Sequence, residues 1–363
     1  MAVSTTTQPG QPTQPTQPAQ QGFKEQEQAP SSSRVADWDA RCIPLDELSY
    51  EKTSIRDVPE GEMPELPIGI FVRTTGTASE EENGEAPDYS WERLRSFTVH
   101  ADIGTGRFVK ALGRLESKGM QNAKNIINAI SRFLAVGHEN VPPALVTIGG
   151  EPLATVARRA NLSPQRLIED MYLADVATMM LGVRLATRGR EYAATMNCPM
   201  RNCNEVCKEM CSMDELNIKS IVGLRNKPVF RVTLENGIND GKTLIKKVYM
   251  SPVKFHQLDV FFKRNLQPSQ MLEEVIVGLP ESEIYGLKSG KPFCDDLFDR
   301  LERTGEDQKS LVQALQKIKP GPDAEFNITC ECGDNQLKYP LPWSVQPQEF
   351  LYFSNMHPDS SDD

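Results

Sequence analysis

The pattern of apolar and polar positions changes period several times along the chain. Alternation predicts one strand over residues 68–72 and a second over residues 94–100. Spacing of three and four residues then dominates residues 105–190, where we expect three to five helices that form a small bundle. Ser163 followed by proline is typical of a helix start, and Gly189 of a helix end.

After residue 190 the pattern mixes both periods. Alternation over residues 229–234 and 244–249, with Asn-Gly and Asp-Gly between them, predicts a β-hairpin. Helical spacing recurs over residues 252–262, 271–276, 297–301 and 311–318, and short strands are expected over residues 326–354. The predicted fold class is α+β, with a small helical domain followed by a β-hairpin and helical region.

Three segments do not carry the apolar residues that a core needs. Residues 1–34 are rich in Gln and Pro, residues 80–85 form an acidic loop, and residues 355–363 end in acidic residues. We therefore predict the following organisation: a disordered tail (1–34), an N-terminal extension with short strands and the acidic loop (35–104), a helical domain (105–190), a mixed α/β region (191–354) and an acidic tail (355–363).

Composition and charge exclude some classes of function. The 363 residues carry a formal net charge of −10, which argues against a protein that mainly holds a long stretch of nucleic-acid backbone. No run approaches the roughly 18 consecutive apolar residues of a membrane-spanning helix, and no signal peptide is recognisable at the N-terminus. We expect no membrane partner, and a cytosolic, reducing compartment.

The eight cysteines are distributed unevenly. Four lie within one short segment, two more form a tight pair, and Cys42 and Cys294 stand alone as ordinary residues. In a reducing compartment, clustered cysteines indicate metal ligands before disulfides. The clustered residues are Cys198, Cys203, Cys207, Cys211, Cys330 and Cys332.

Two of these segments are typical of the turns that donate ligands in a zinc ribbon. Proline follows Cys198, and glycine follows Cys332, which helps the chain to turn sharply. We predict that Cys198 and Cys203 join Cys330 and Cys332 in a zinc-ribbon-like site assembled from two distant knuckles. Four thiolates close the coordination sphere of Zn²⁺, so the predicted metal is structural.

The spacing of the cysteines leaves other interpretations open. Four residues separate the first pair and one separates the second, whereas a regular knuckle has two. Cys203, Cys207 and Cys211 repeat every four residues, which would place them on one face of a helix and makes Cys207 and Cys211 alternative ligands. A disulfide among the six, free thiols, and a redox or catalytic thiol are the competing interpretations, although the last lacks a nearby basic partner.

We expect no enzymatic activity. The four histidines are far apart, and no nucleophile–base pair or paired carboxylates can be recognised. The aromatic segment around Trp343 and residues 350–353 is either core or a docking surface for another subunit.

The order of these features resembles a family of baseplate hub and tail-assembly proteins from contractile-tailed bacteriophages of the T-even type. The resemblance covers roughly residues 95–354. It lies in a helical block that ends in MLGVRLATRG (180–189), the Cys-Pro knuckle at 198, MDEL (213–216), a hairpin, and a second knuckle before PLPW (340–343) and Phe350.

The resemblance implies a structural or assembly component of a phage tail baseplate, acting through protein–protein contacts and without enzyme activity. Its partners would be other tail or baseplate proteins, and a homo-oligomer within a symmetric assembly is compatible with it. It would occur in the host cytoplasm during assembly and in the virion tail baseplate, as a component or as a transient helper. The cysteines carried over are Cys198, Cys203, Cys330 and Cys332.

The alternative hypothesis is a zinc-ribbon protein that binds nucleic acid or takes part in transcription. It requires basic residues around the knuckles. Arg201, Lys208 and Lys219 are present, but neighbouring acidic residues offset them, so no nucleic-acid partner is expected. The acidic residues are Glu205, Glu209, Asp214, Glu331 and Asp334.

Overall fold

The fold is mixed α+β, as the sequence predicts. The computed structural model describes residues 39, 41–74, 91–99, 123–136, 146–199, 203, 205–261, 268–282, 286–287, 305–330 and 335–341. In this part of the chain, no helix is both long enough and apolar enough to cross a membrane. The predicted tails, the acidic loop and the aromatic segment beyond residue 341 lie outside the described residues.

Between residues 123 and 190 the described chain forms four helices, within the three to five expected, but it also forms two strands, Val146–Ile148 and Glu151–Pro152, that the helical pattern did not predict. The Ser163 hydroxyl caps one of these helices by accepting a hydrogen bond from the Arg166 N–H, and Gly189, with φ of 75°, ends another, as expected. In chain order the helices are α1 (Ala123–Val136), α2 (Leu153–Arg159), α3 (Pro164–Asp170), α4 (Leu173–Arg188), α5 (Leu258–Phe261), α6 (Pro268–Val275) and α7 (Gly305–Lys317).

The strands are short and distributed along the whole described chain. They are β1 (Ile43–Pro44), β2 (Tyr50–Ser54), β3 (Ile70–Arg73), β4 (Trp91–Leu94), β5 (Phe97–Val99), β6 (Val146–Ile148), β7 (Glu151–Pro152), β8 (Glu191–Asn197), β9 (Val206–Ser212), β10 (Asn217–Ile221), β11 (Phe230–Asn239), β12 (Leu244–Met250), β13 (Ile276–Leu279), β14 (Gly286–Leu287), β15 (Gly321–Pro322), β16 (Glu325–Cys330) and β17 (Asn335–Pro340).

The strands pair into several small sheets rather than one large sheet. The largest of those described has the order β1-β11-β12-β13-β14 and contains the predicted hairpin as β11 and β12. Three-stranded sheets have the orders β15-β10-β2 and β5-β6-β7. The pairs β3-β4, β8-β9 and β16-β17 are two-stranded and antiparallel.

Several predicted elements require correction. The strand over residues 94–100 is divided into β4, which ends at Leu94, and β5, which begins at Phe97. The helix over residues 271–276 ends at Val275, and the chain continues as β13. In the described part of the predicted helix over residues 252–262, α-helix begins only at Leu258, as α5, after a 3₁₀ turn at Phe255–Gln257. The helical signal over residues 297–301 lies outside the described residues.

Buried apolar side chains form two clusters. One joins helices α1 to α4 to strands β3 to β6, and it extends to the hairpins β8-β9 and β16-β17. The other packs the five-stranded sheet against α6 and α7. The cysteine-bearing hairpins therefore belong to the same core as the helical block, although they lie far apart in sequence.

Two buried carboxylates connect helices to neighbouring backbone. Asp175 on α4 accepts hydrogen bonds from the N–H groups of Ile68 (2.9 Å) and Gly69 (3.1 Å). Asp307 on α7 accepts from Glu235 N–H and Gly237 N–H, both at 2.9 Å. Both carboxylate side chains are completely buried, so these bonds replace the solvation that the carboxylates have lost.

A close contact on α4 leads to a first prediction. A methyl group at Gly182 would lie 2.7 Å from ring atoms of Phe97 and 3.0 Å from the Met63 sulfur. We expect Gly182→Ala to lower the free energy of unfolding by about 1–3 kcal/mol, because the core there is already filled. Gly305→Ala on α7 is the matched control, since nothing lies within 4 Å of a methyl group there. Urea unfolding of both variants checks the prediction, and equal stabilities would contradict it.

Candidate metal centre

The first cysteine segment lies at the end of the antiparallel hairpin β8-β9. Cys198 directly follows β8, and its backbone N–H donates to the Glu205 carbonyl at 3.0 Å, which closes the loop that carries Cys203. Cys207 lies on β9 opposite Met196. Alternation along β9 places Cys207 and Cys211 on its buried face.

The second cysteine segment lies at the end of the antiparallel hairpin β16-β17. Cys330 is the last residue of β16 and pairs with Asn335, the first residue of β17. Residues 331–334 connect the two strands, and Cys332 in that connection lies outside the described residues. Each hairpin therefore brings a cysteine at a strand end.

Aromatic side chains pack the two hairpins against each other, several residues along the strands from the cysteines. The Tyr192 ring of β8 stacks on Phe326 of β16, with 5.9 Å between ring centroids, and its hydroxyl lies 3.1 Å from that of Tyr339 on β17. The buried Arg184 guanidinium of α4 lies 4.8 Å from the centroid of the Tyr192 ring. The Thr329 N–H also donates to the Glu209 carboxylate at 2.6 Å, so β16 is fixed beside β9.

Three thiols from these hairpins converge, and together they can bind a metal ion. The sulfur atoms of Cys198, Cys203 and Cys330 all lie within 4.8 Å of one another, and those of Cys203 and Cys330 are 3.9 Å apart. Four sulfurs around Zn²⁺ at about 2.3 Å would be separated by about 3.8 Å, so this spacing suits a tetrahedral thiolate site. Cys198 and Cys330 are buried, and Cys203 is half-buried.

The distance between the Cys203 and Cys330 sulfur atoms argues against the interpretation that these two residues form a disulfide. A disulfide requires sulfur atoms about 2.05 Å apart, which is much shorter than the 3.9 Å between Cys203 and Cys330. Six cysteines of the described residues are thiols and not members of a disulfide: Cys42, Cys198, Cys203, Cys207, Cys211 and Cys330. The described geometry thus contains thiols and no disulfide.

Cys207 lies beside this cluster. A hydrogen bond with Cys330, burial, and the neighbouring thiols raise the pKa of Cys207 to about 12. A thiol with a raised pKa is a poor nucleophile, which disfavours a redox or catalytic role for Cys207. A cation bound between the sulfurs would instead lower the pKa values of the thiols, because a cation favours the thiolate form.

Cys211 is not part of the cluster of three. Burial, with the nearby charges of Glu209 and Glu215, raises its pKa to about 12. The expectation that Cys203, Cys207 and Cys211 share a helix face is wrong, because Cys207 and Cys211 lie on strand β9 and Cys203 precedes it. A repeat of four residues also keeps side chains on one face of a strand, so the spacing alone did not separate the two conformations.

The lone Cys42 lies at a different place. Burial and the charge of Asp39 raise the pKa of Cys42 to about 12. Asp39 itself accepts hydrogen bonds from Arg231, Lys247 and Tyr249. These contacts attach the start of the described chain to β11 and β12. Cys42 is not among the three clustered thiols.

Comparison of the chain with protein-family models, with curated proteins and with solved structures found no match. The functional assignment therefore depends on the residues of this chain and on their geometry.

Proposed function

We propose that this protein is a structural or assembly component of a contractile phage tail baseplate, and that a structural zinc ion fixes its fold. The observation that carries the zinc proposal is the convergence of Cys198, Cys203 and Cys330 between two hairpins. We call this group the thiol clasp. In the proposed site Cys332 is the fourth ligand, which gives a zinc-ribbon-like arrangement, and Cys207 is the alternative.

The ligand chemistry favours zinc over harder cations. Thiolates are soft ligands, whereas Mg²⁺ and Ca²⁺ prefer oxygen. Four thiolates leave no open coordination position, so the metal would not activate water or bind a substrate. A structural role therefore suits the thiol clasp better than a catalytic one.

The thiol clasp would stabilise the fold by joining remote parts of the chain. Cys203 and Cys330 are 127 residues apart in sequence. Cross-linking such distant residues removes conformational freedom from the unfolded chain, and the gain increases slowly with the length of the loop. Because the metal ligands come together only in the folded protein, the binding free energy adds to folding stability.

The baseplate part of the proposal depends on the order of motifs described above and on the structural character of the site. A protein of this type acts through surfaces that contact other subunits. Val206 and Met210 on β9 are 48 % and 45 % exposed, and they lie on the outer face of the hairpin that carries the thiol clasp, with Lys208 between them. This face supports a role in protein–protein contact.

Charges around the thiol clasp do not favour the alternative of nucleic-acid binding. Lys208 is exposed on β9, but the Glu205 and Glu209 side chains lie on the same hairpin. The Glu209 carboxylate also accepts from the Thr329 N–H at the other hairpin. A nucleic-acid interface would need cations in excess there.

Co-assembly tests the proposed function. The full-length protein is expressed with the other tail proteins of a contractile phage, and assemblies are isolated by density-gradient centrifugation and identified by mass spectrometry. We expect the chain to join a baseplate or hub complex, and Met210→Lys to weaken that association while Leu244→Lys, at another exposed apolar position, has no effect. A chain that never enters a tail complex would refute the baseplate proposal without affecting the zinc site.

A further inference from the structure

A cavity of about 660 Å³ lies away from the thiol clasp. It is bounded by β3, by Trp91 at the start of β4, by the connection between α2 and α3, and by Lys227 and Lys254. Small-molecule sites commonly have volumes of about 300–1,000 Å³. None of the cysteines contributes to its walls, so this cavity is independent of the proposed function.

The charged side chains that line the cavity are predominantly basic. Arg159 is neutralised by Glu92 and Glu151, and Lys254 forms an ion pair with Asp170. Arg158 and Lys227 are exposed, and neither forms a salt bridge within the described residues. The charged residues that line the cavity are Arg73, Arg158, Arg159, Lys227, Lys254 and Asp170. In a chain with net charge −10, this is a local concentration of positive charge.

An aromatic ring and apolar side chains complete the lining. Trp91 is 45 % exposed, and the Lys227 ammonium lies 5.6 Å from the centroid of its ring. Phe71 and Met171 are buried and contribute apolar surface to the same cavity. A ligand that satisfies all of these groups carries negative charge next to a flat, weakly polar ring.

We propose that this cavity binds a nucleotide unit, either as a free nucleotide or within a single strand. The base stacks on the exposed part of Trp91, and the phosphates contact Arg158 and Lys227. A cationic groove beside an aromatic platform is the arrangement that proteins use for single-stranded nucleotides. A peptide made of acidic residues alone would satisfy the cations but would leave Trp91 and the apolar lining without a matching group.

Calorimetric titration of the full-length protein tests this site. ADP is the probe, with adenosine and pyrophosphate as its separate halves and a short oligothymidylate as the single-stranded form. We expect ADP to bind saturably at one site per chain, and both halves to bind more weakly. Arg158→Glu and Lys227→Glu should each weaken ADP binding at least about tenfold, since each removes a charge-assisted contact and introduces repulsion.

One further variant tests the stacking contact, and another is a control outside the cavity. Trp91→Leu should also weaken ADP binding about tenfold through lost stacking. Lys208→Glu is the matched control, because it reverses an exposed lysine outside the cavity and should leave the affinity unchanged. Circular dichroism and thermal denaturation verify that each variant is folded.

Tighter binding of the oligothymidylate, lost in the same variants, supports the nucleotide site and assigns it to a single strand. The proposal is overturned if neither ADP nor oligothymidylate binds saturably, or if Arg158→Glu and Lys227→Glu leave the affinity unchanged. Binding of a glutamate-rich peptide in place of ADP would also overturn it and would assign the cavity to an acidic partner.

Discussion

Replacing Cys330 by serine is expected to abolish metal binding and to lower the free energy of unfolding by at least about 3 kcal/mol. Cys330 is buried between the two hairpins, and its sulfur is 3.9 Å from that of Cys203. A structural zinc site supplies a binding free energy on the order of 10 kcal/mol, and loss of one thiolate removes so much of it that the remaining ligands no longer hold the metal at stoichiometric occupancy. Metal-to-protein ratios and urea unfolding measure the two effects.

Cys211→Ser is the matched control for this prediction. Cys211 is buried on the same face of β9 as Cys207, but it lies outside the cluster of three thiols. It should keep the metal and lose about 1 kcal/mol of stability, the ordinary cost of a polar change in a core. Treatment with a chelator should destabilise the native protein and the Cys211 variant, but not the Cys330 variant. A Cys330 variant with a full complement of metal would contradict the prediction.

The same series identifies the fourth ligand. Replacement of Zn²⁺ by Co²⁺ gives absorption bands that depend on the number of thiolates. In the proposed site Cys332→Ser changes these bands and weakens binding, whereas Cys207→Ser leaves them unchanged. The reverse result would assign the fourth position to Cys207, beside Cys330, and would replace the two-knuckle arrangement with one in which β9 supplies a ligand.

Replacing Asp175 by alanine is expected to lower the free energy of unfolding by about 2–5 kcal/mol. The variant removes the acceptor for the N–H groups of Ile68 and Gly69, and buried donors without partners cost about 1–3 kcal/mol each. Asp170→Ala is the control, because Asp170 is partly exposed and its ion pair with Lys254 contributes little. Chemical denaturation of both variants tests the difference, and an equal loss would contradict the account.

The buried carboxyl of Asp175 should also make the folding stability depend on pH. Burial raises the pKa of this carboxyl to about 6, although the backbone N–H groups and the nearby arginines partly oppose the increase. A pKa raised in the folded state means that folding favours the protonated form. The contribution of Asp175 to stability is therefore complete below about pH 4 and decreases as the pH rises through 6.

Asp175→Asn isolates this effect, since asparagine does not titrate. We expect the native protein to lose stability relative to the Asp175→Asn variant between pH 4 and pH 7. Urea unfolding at several pH values within that range measures the difference. A constant difference would show that Asp175 does not titrate there.

Local features of the fold could be predicted from the sequence because neighbouring residues decide them. The Ser163 cap and the Gly189 stop depend on backbone groups within a few positions. The hairpin β11-β12 followed from alternation and from the turn residues between its strands. The convergence of Cys198, Cys203 and Cys330 was also predictable, because clustered thiols indicate a shared chemical role before their geometry is known.

Long-range contacts decide the features that the sequence pattern did not predict. The conformation around Cys207 depends on pairing with β8, which a repeat of four residues cannot reveal. Asp175 and Ile68 are 107 residues apart, so no local pattern shows that the carboxylate caps the backbone there. The basic cavity combines Trp91, Arg158 and Lys227 from separate segments, and none of the three forms a motif with its own neighbours.

X-ray absorption at the zinc edge, on native protein purified without added metal, tests the thiol clasp most directly. The account predicts one zinc per chain, surrounded by four sulfur atoms at about 2.3 Å. Protein without stoichiometric metal, zinc bound mainly by oxygen or nitrogen, or a disulfide that joins two cysteines of the clasp would contradict it.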